Sequence, residues 1–419
     1  MQAYFIILFI FISNLAWSFD FESSHELSGY KNFYEQNSEN YFYFLANYKL
    51  NLNSNIKLNY SPELQLIQYD KDKLDAVDYT THKGSLDIET KKTLSRFGYF
   101  QIKKEGPDIF DPMNHVQNSN YFDPLHIRQK SLLGLYSEFT ILDQWSIELA
   151  YIPKNTVPTL PKTSSAWFPK ADVFPTASNN YVLHLPENIK YVVTKNDADR
   201  PESLNNNFIL KSKFSHDSTD FIIQYDEMLS NNPAVSPELT GTVISANPIL
   251  EIELDNPVRL SFTWEKVKNY SLGIIHAHDY LGVILKYFVN YQKSSIYNET
   301  FHAIAVEKQF SEVAIVLEKS YVEKKYLQTT EASSTFGNLF KNATALGLRY
   351  SVNDKFNFLF GAIYDHETQS SIVYVKPKYQ ITDSLSVDLQ LISIDGTEKS
   401  LLSFFRRSDS VSLGLTYLF

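Results

Sequence analysis

The last ten residues, Ser410 to Phe419, read SVSLGLTYLF. On an extended chain Val411, Leu413, Leu415, Tyr417 and Phe419 point to one side, while Ser410, Ser412, Gly414 and Thr416 point to the other. One face is apolar and the other is small and polar. Such a strand fits between lipid and a wet interior, and equally the edge of a soluble sandwich. The upstream sequence repeats the pattern. Val258, Leu260, Phe262 and Trp264 oppose Arg259, Ser261, Thr263 and Glu265, and Leu385, Val387, Leu389 and Leu391 oppose Ser384, Ser386, Asp388 and Gln390. Thr344, Leu346, Leu348, Tyr350 and Val352 oppose Ala343, Ala345, Gly347, Arg349 and Ser351. These residues cannot share the face of a helix. In Phe301 to Lys308 both faces carry apolar residues, so no lipid face is assigned there.

This final strand resembles that of Gram-negative outer-membrane β-barrels, which ends in an aromatic residue. The resemblance implies that Phe419 is read by the barrel-assembly machinery, and that outer-membrane lipid and lipopolysaccharide surround the wall. The expected fold is all-β: a transmembrane, antiparallel, up-and-down barrel of about 18 strands, within a range of roughly 16 to 20. Polar turns punctuate the alternating runs at Asn51 to Ser54, Leu142 to Gln144, His216 to Ser218, Asp255 to Pro257, Gln309 to Ser311, Asn353 to Lys355 and Thr382 to Ser384. Each is expected to be a short turn on the periplasmic side. The weakest strand signals lie near Leu86 to Thr90 and Leu272 to Ala277.

Composition agrees. Cysteine is absent, so no disulfide framework closes the fold. Aromatics reach 15%, with 28 Tyr and 30 Phe, while mean hydropathy is only −0.26; strands that show every second residue to lipid combine these features. A formal net charge of −10 argues against a nucleic-acid surface. Tyr4 to Ile12 is a short apolar run followed by Ala16-Trp17-Ser18, which predicts a cleaved signal peptide over residues 1–18 and a barrel over 19–419. The n-region, Met1-Gln2-Ala3, carries no Lys or Arg, and a non-cleaved anchor is the alternative. No later run approaches the length of a helical span, which leaves a closed barrel as the way to cross a bilayer.

Two long interruptions break the rhythm, at about 104–130 and 153–204; the second holds seven of the 16 prolines. Proline removes ladder donors, so neither is an interior strand. Phe110 and Asp111 in the first, and Trp167 and Phe168 in the second, are candidates for a loop folded into the lumen as a constriction. Arg96-Phe97-Gly98, the Phe-Asp-Pro-Met-Asn element at Phe110 to Asn114 and the Pro-rich loop opening Tyr151-Ile152-Pro153 resemble porin-like proteins similar to alginate exporters. The resemblance covers about Arg96 to Pro169 and implies an 18-stranded or similar pore with an in-folded loop. A Trp-Gly pair of that pattern is replaced here by Lys104-Glu105-Gly106.

A charge facing lipid near the midplane costs about 2–4 kcal/mol. The alternation therefore predicts that Arg259, Glu265, Glu318, Arg349, Lys376, Lys378 and Asp388 line the lumen. Mixed signs argue against a simple one-sign filter, and pairing across strands is the structural alternative. His276 and His278 fall on one face of a strand, a geometry compatible with zinc, but no third or fourth ligand is visible and no metal is assigned. Trp264, Tyr350, Tyr364, Tyr417 and Phe419 are candidates for interfacial girdles. No catalytic motif and no cofactor fingerprint is present. The expected function is a passive channel for small polar solutes. The alternatives are a closed barrel acting as an adhesin, receptor or structural protein, and an outer-membrane hydrolase in which His276 or His184 meets a serine.

Overall fold

The structure, a computed structural model, describes residues 20–34, 38–69, 74–113, 119–120, 125–156, 159, 165–167, 173–174, 181–184, 191–194, 205–230, 234–238, 240–263, 265–278, 280–295, 297–326, 340–397 and 400–419. The signal-peptide expectation, Phe168 and Trp264 lie outside them.

Alternating runs bounded by polar turns form long antiparallel strands that pair in sequence order. The wall consists of β1 (Asp20–Tyr34), β2 (Ser38–Asn51), β3 (Ile56–Gln68), β4 (Ala76–Glu89), β5 (Thr93–Phe100), β6 (Leu132–Leu142), β7 (Trp145–Lys154), β8 (Asn205–His216) and β9 (Thr219–Leu229). It continues through β10 (Lys266–His278), β11 (Val283–Lys293), β12 (Tyr297–Phe310), β13 (Val313–Tyr326), β14 (Ala343–Ser351), β15 (Phe356–Asp365), β16 (Ser370–Gln380), β17 (Leu385–Asp395) and β18 (Ser410–Leu418). These are the members of one 18-stranded sheet. β1 pairs with β18 from Glu26 opposite Leu418 to Tyr34 opposite Ser410, so the sheet closes on itself. Closure gives each of the 18 strands a neighbour on both sides, so the sheet has no edge strand, as a β-structure in lipid requires.

Burial runs opposite to that of a water-soluble sandwich. In β18, Leu413 and Leu415 are 51% and 52% exposed, while Ser412 is fully buried at 0%. The same inversion recurs around the wall: Phe42, Leu135, Ile223, Tyr270, Ile304 and Leu317 are exposed, whereas Asn59, Gln224, Asn269, Asn290 and Gln390 are buried. An oily exterior and a polar interior are the two faces the alternation predicts.

Several inward glycines lie beneath an aromatic ring from the neighbouring strand. A Cβ on Gly273 would strike Phe288, one on Gly361 would strike Tyr374 and one on Gly414 would strike Tyr30; each glycine is the cross-strand partner of that aromatic. The rings thus lie flat against the wall instead of projecting into the lumen.

The rim beside β1's first and β18's last residues carries short connections such as 52–55, 143–144, 217–218 and 311–312. The opposite rim carries the long ones. Two were expected, and they connect β5 to β6 and β7 to β8. A third, 230–265, was not. Val258–Thr263 is no wall strand: it pairs with Ala234–Glu238 and, in parallel, with Tyr191–Thr194, and Asp255 to Pro257 is a bend inside this loop. The weak signals at Leu86 to Thr90 and Leu272 to Ala277 belong to the full-length strands β4 and β10.

Candidate functional site: the narrowed lumen

A barrel of this strand number encloses an aqueous channel unless something fills it. Here the β5–β6 loop does so in part. Glu318, on the inward face of β13, aims a buried carboxylate at the loop backbone. The Asp108 N–H donates to Glu318 Oε1 at 2.7 Å, the Ile109 N–H to Oε2 at 3.0 Å and the Phe110 N–H to Oε2 at 2.8 Å. Three successive amides around one carboxylate form charge-assisted bonds, each worth about 1.5–3 kcal/mol. Asp108 is ion-paired with Arg349 of β14.

The side chains of the loop are fitted to the same wall. Phe110 is buried against Ala303 of β12 and Ala343 and Ala345 of β14, where small residues leave a shelf for a ring. Met113 packs on Ile222 and Phe288. Glu105 lies 3.3 Å from Lys211 of β8, whose ammonium, 3% exposed, also contacts Glu148 at 2.9 Å. A buried ammonium needs such partners, so the loop supplies a carboxylate that the wall requires. Farther along, the His126 ring stacks on Tyr30 of β1 at 3.7 Å, and Arg128 lies over the Tyr43 ring of β2 and 3.8 Å from Glu26. The loop therefore bridges the lumen, from β8–β14 at one end to β1 and β2 at the other. Burial pushes the Lys130 ammonium below its ordinary pKa range, and the Asp78 carboxylate opposes that shift.

The β7–β8 loop is tied down nearer the rim. The Ala166 N–H donates to Glu39 Oε1 at 2.6 Å, and Trp167 Nε1 donates to the Tyr34 hydroxyl at 2.8 Å. Trp167 packs with Leu402 and Phe405 of the 3₁₀ helix Leu401–Ser408, and the Ser408 hydroxyl donates to the Ala166 carbonyl at 3.0 Å.

Of the charges expected to line the lumen, the wall carries Glu318, Arg349, Lys376, Lys378 and Asp388 on inward positions; Lys376 lies 3.7 Å from Asp388. Arg259 does not line the lumen: it is exposed on the loop strand Val258–Thr263, because a short strand in a loop sheet alternates just as a wall strand does. Glu265 precedes β10 at the long-loop rim and accepts a hydrogen bond from Ser295. Phe110 belongs to the loop's grip, and Asp111 accepts the Met113 N–H at 2.9 Å. His276 and His278 lie on the outward face of β10; His276 Nδ1 is 2.9 Å from the Thr219 hydroxyl, and His184 pairs with Glu251 at 3.1 Å. Among the described residues neither His276 nor His184 is hydrogen-bonded to a serine. Among the described residues no group of three or more His, Asp or Glu could hold a metal ion. Sequence reasoning missed Glu39, Glu105, Asp108, Lys211 and Arg128. Lys211 was within reach, since it alternates with Leu210 and Phe214 in β8.

Solved structures with this architecture include several from Pseudomonas. Pseudomonas aeruginosa OccK3 (OpdO) aligns with a TM-score of 0.55 at 10% identity, covering 96% of each chain. A BenF-like porin from Pseudomonas fluorescens Pf-5 gives 0.55 at 7% identity, covering 96% of this chain and 98% of that one. The chain shares their barrel fold. The outer membrane protein OpdK from Pseudomonas aeruginosa gives 0.53 at 8% identity, covering 95% of this chain and 98% of that one. No protein-family model matches the sequence, and no curated protein does.

Proposed function

We propose that the chain is an outer-membrane channel through which small polar solutes pass passively, with the short-turn rim in the periplasm and the β5–β6 loop as its constriction. The observation that carries this is the grip of Glu318 on Asp108, Ile109 and Phe110 inside a lumen walled by polar side chains. A barrel that only needed closing could fill its interior with side chains, whereas this one holds a loop backbone across part of the bore and leaves Arg349, 52% exposed, and Lys376 facing water. Similarity to proteins titled as porin and outer membrane protein supports the same reading. The resemblance of Arg96 to Pro169 to alginate-export-type porins also favours a pore with an in-folded loop, and leaves the solute open.

Planar-bilayer recording of the purified protein tests the proposal: discrete current steps are expected, and a protein that inserts without conducting refutes it. A closed barrel acting through its loops is the second reading, favoured by the exposed Val243, Ile244, Ile249 and Leu250 in the β9–β10 loop. That silent outcome would select it.

A further inference from the structure

The outward face of the wall is largely apolar, and on β11–β14 a group of lysines interrupts it. Lys319 of β13 points outward between Leu317 and Tyr321, and its cross-strand partners are Ile304 and Thr344, neither of them acidic. Toward the long-loop rim the outward face adds Lys325 on β13 and Lys293 on β11, both paired in register with Asn298 of β12 and so about 10 Å apart. Lys293, Lys319 and Lys325 are all exposed. Hydroxyls and two imidazoles lie among them: Tyr287 Oη is 3.0 Å from His302 Nδ1, the Tyr321 ring packs beside His302, and the Thr344 hydroxyl lies 2.9 Å from His366 Nε2. Among the described residues of this group the acid is Glu323, opposite Thr300. On neighbouring β10 the outward lysines are treated differently, since Lys266 and Lys268 lie 3.2 and 4.0 Å from Glu227.

An ammonium on the lipid side costs about 2–4 kcal/mol at the midplane and little near the interface. Lys319 can run its methylenes past Tyr321 toward the long-loop rim, but three lysines against the one carboxylate among the described residues still leave an excess of positive charge beside an apolar surface. Complementarity then asks for an anionic group carried on hydrocarbon. We infer that the outward face of β11–β14 binds a phosphorylated, multiply acylated glycolipid. Its phosphates lie among Lys319, Lys325, Lys293 and the hydroxyl donors, and its acyl chains lie along Ile304, Val306, Leu317 and Leu346. The inference rests on the outer-membrane placement proposed above, with this face in the outer leaflet.

Native mass spectrometry of the detergent-purified chain tests it with three probes: bis-phosphorylated lipid A, the same lipid dephosphorylated, and phosphatidylglycerol. With two lysine–phosphate contacts at roughly fivefold each, the phosphorylated glycolipid is expected to bind about 25-fold more tightly than the dephosphorylated one and about fivefold more tightly than phosphatidylglycerol, which carries a single phosphate. The double variant Lys319→Gln, Lys325→Gln should lose that preference while keeping the thermal unfolding of the parent, because neither residue touches the lumen loop. Lys31→Gln, on the outward face of β1, should leave it unchanged. Equal binding of the dephosphorylated lipid or of phosphatidylglycerol, an unaffected double variant, or an oligomer of this chain that the double variant dissociates would each overturn the inference. Bilayer recording on the same preparation keeps the two proposals apart: current without lipid preference removes only this one, and lipid preference without current removes the channel.

Discussion

Two loop systems rise from the same rim and find their hydrogen bonds in opposite places. The β5–β6 loop turns inward, and the wall satisfies its backbone: Glu318 takes three amides, and Lys211 and Arg349 take its carboxylates. Apart from the rim contacts of Ala166 and Trp167 with Glu39 and Tyr34, the described strands of the β7–β8 and β9–β10 loops satisfy one another. Tyr181–His184 runs parallel to Leu250–Leu254, and Tyr191–Thr194 runs parallel to Val258–Thr263, as zipped strands outside the wall sheet. A loop backbone can leave bulk water only if something else accepts its N–H groups. A lumen constriction is therefore marked by an inward wall carboxylate that takes successive loop amides, as Glu318 does, whereas a single amide held at the rim, as on Glu39, together with loop-to-loop strands, marks a structure that stands clear of the bore.

That contrast is broken or sharpened most strongly at Glu318. Glu318→Ala removes the acceptor of three amides and should weaken loop docking by about 3–5 kcal/mol, seen as a larger single-channel current and faster proteolysis within 105–113. Phe110→Ala empties the alanine shelf and should cost about 3 kcal/mol in thermal unfolding, with a smaller rise in current. Lys211→Met strands Glu105 and Glu148 without their shared cation and should destabilise by about 2–3 kcal/mol, an effect that Glu105→Gln in the same chain partly reverses. Glu39→Ala frees the Ala166 amide of the β7–β8 loop; about 1–2 kcal/mol is expected, read as a red shift of Trp167 emission with little change in current. Deleting 241–254, which belongs to the mutually paired loops, should leave the current step unaltered. If that deletion changes the current as much as Glu318→Ala does, the division between the two systems collapses.

The wall was legible because lipid imposes a period of two and a minimum length on every crossing. The long-loop rim was legible only where proline advertised it. Val258–Thr263 misled because alternation reports a half-buried strand, not where that strand lies; its six residues, and the five of Leu250–Leu254, fall short of the roughly nine to eleven that a tilted crossing needs. Length in the sequence would not have withdrawn Arg259 from the lumen, because the alternating run Val258 to Glu265 is eight residues, as many as wall strand β5. The constriction was readable as a place but not as a mechanism. Phe110 and Asp108 stand in a loop of unusual composition, while their partners Glu318, Ala345 and Arg349 are more than two hundred residues away in sequence, and only closure of the barrel brings them together.

Paired single-channel recordings of the parent protein and Glu318→Ala test the central claim most directly. A bore narrowed by a loop held on that carboxylate predicts discrete steps in both, with larger steps in the variant. Silence in both, or steps of equal height, would contradict it.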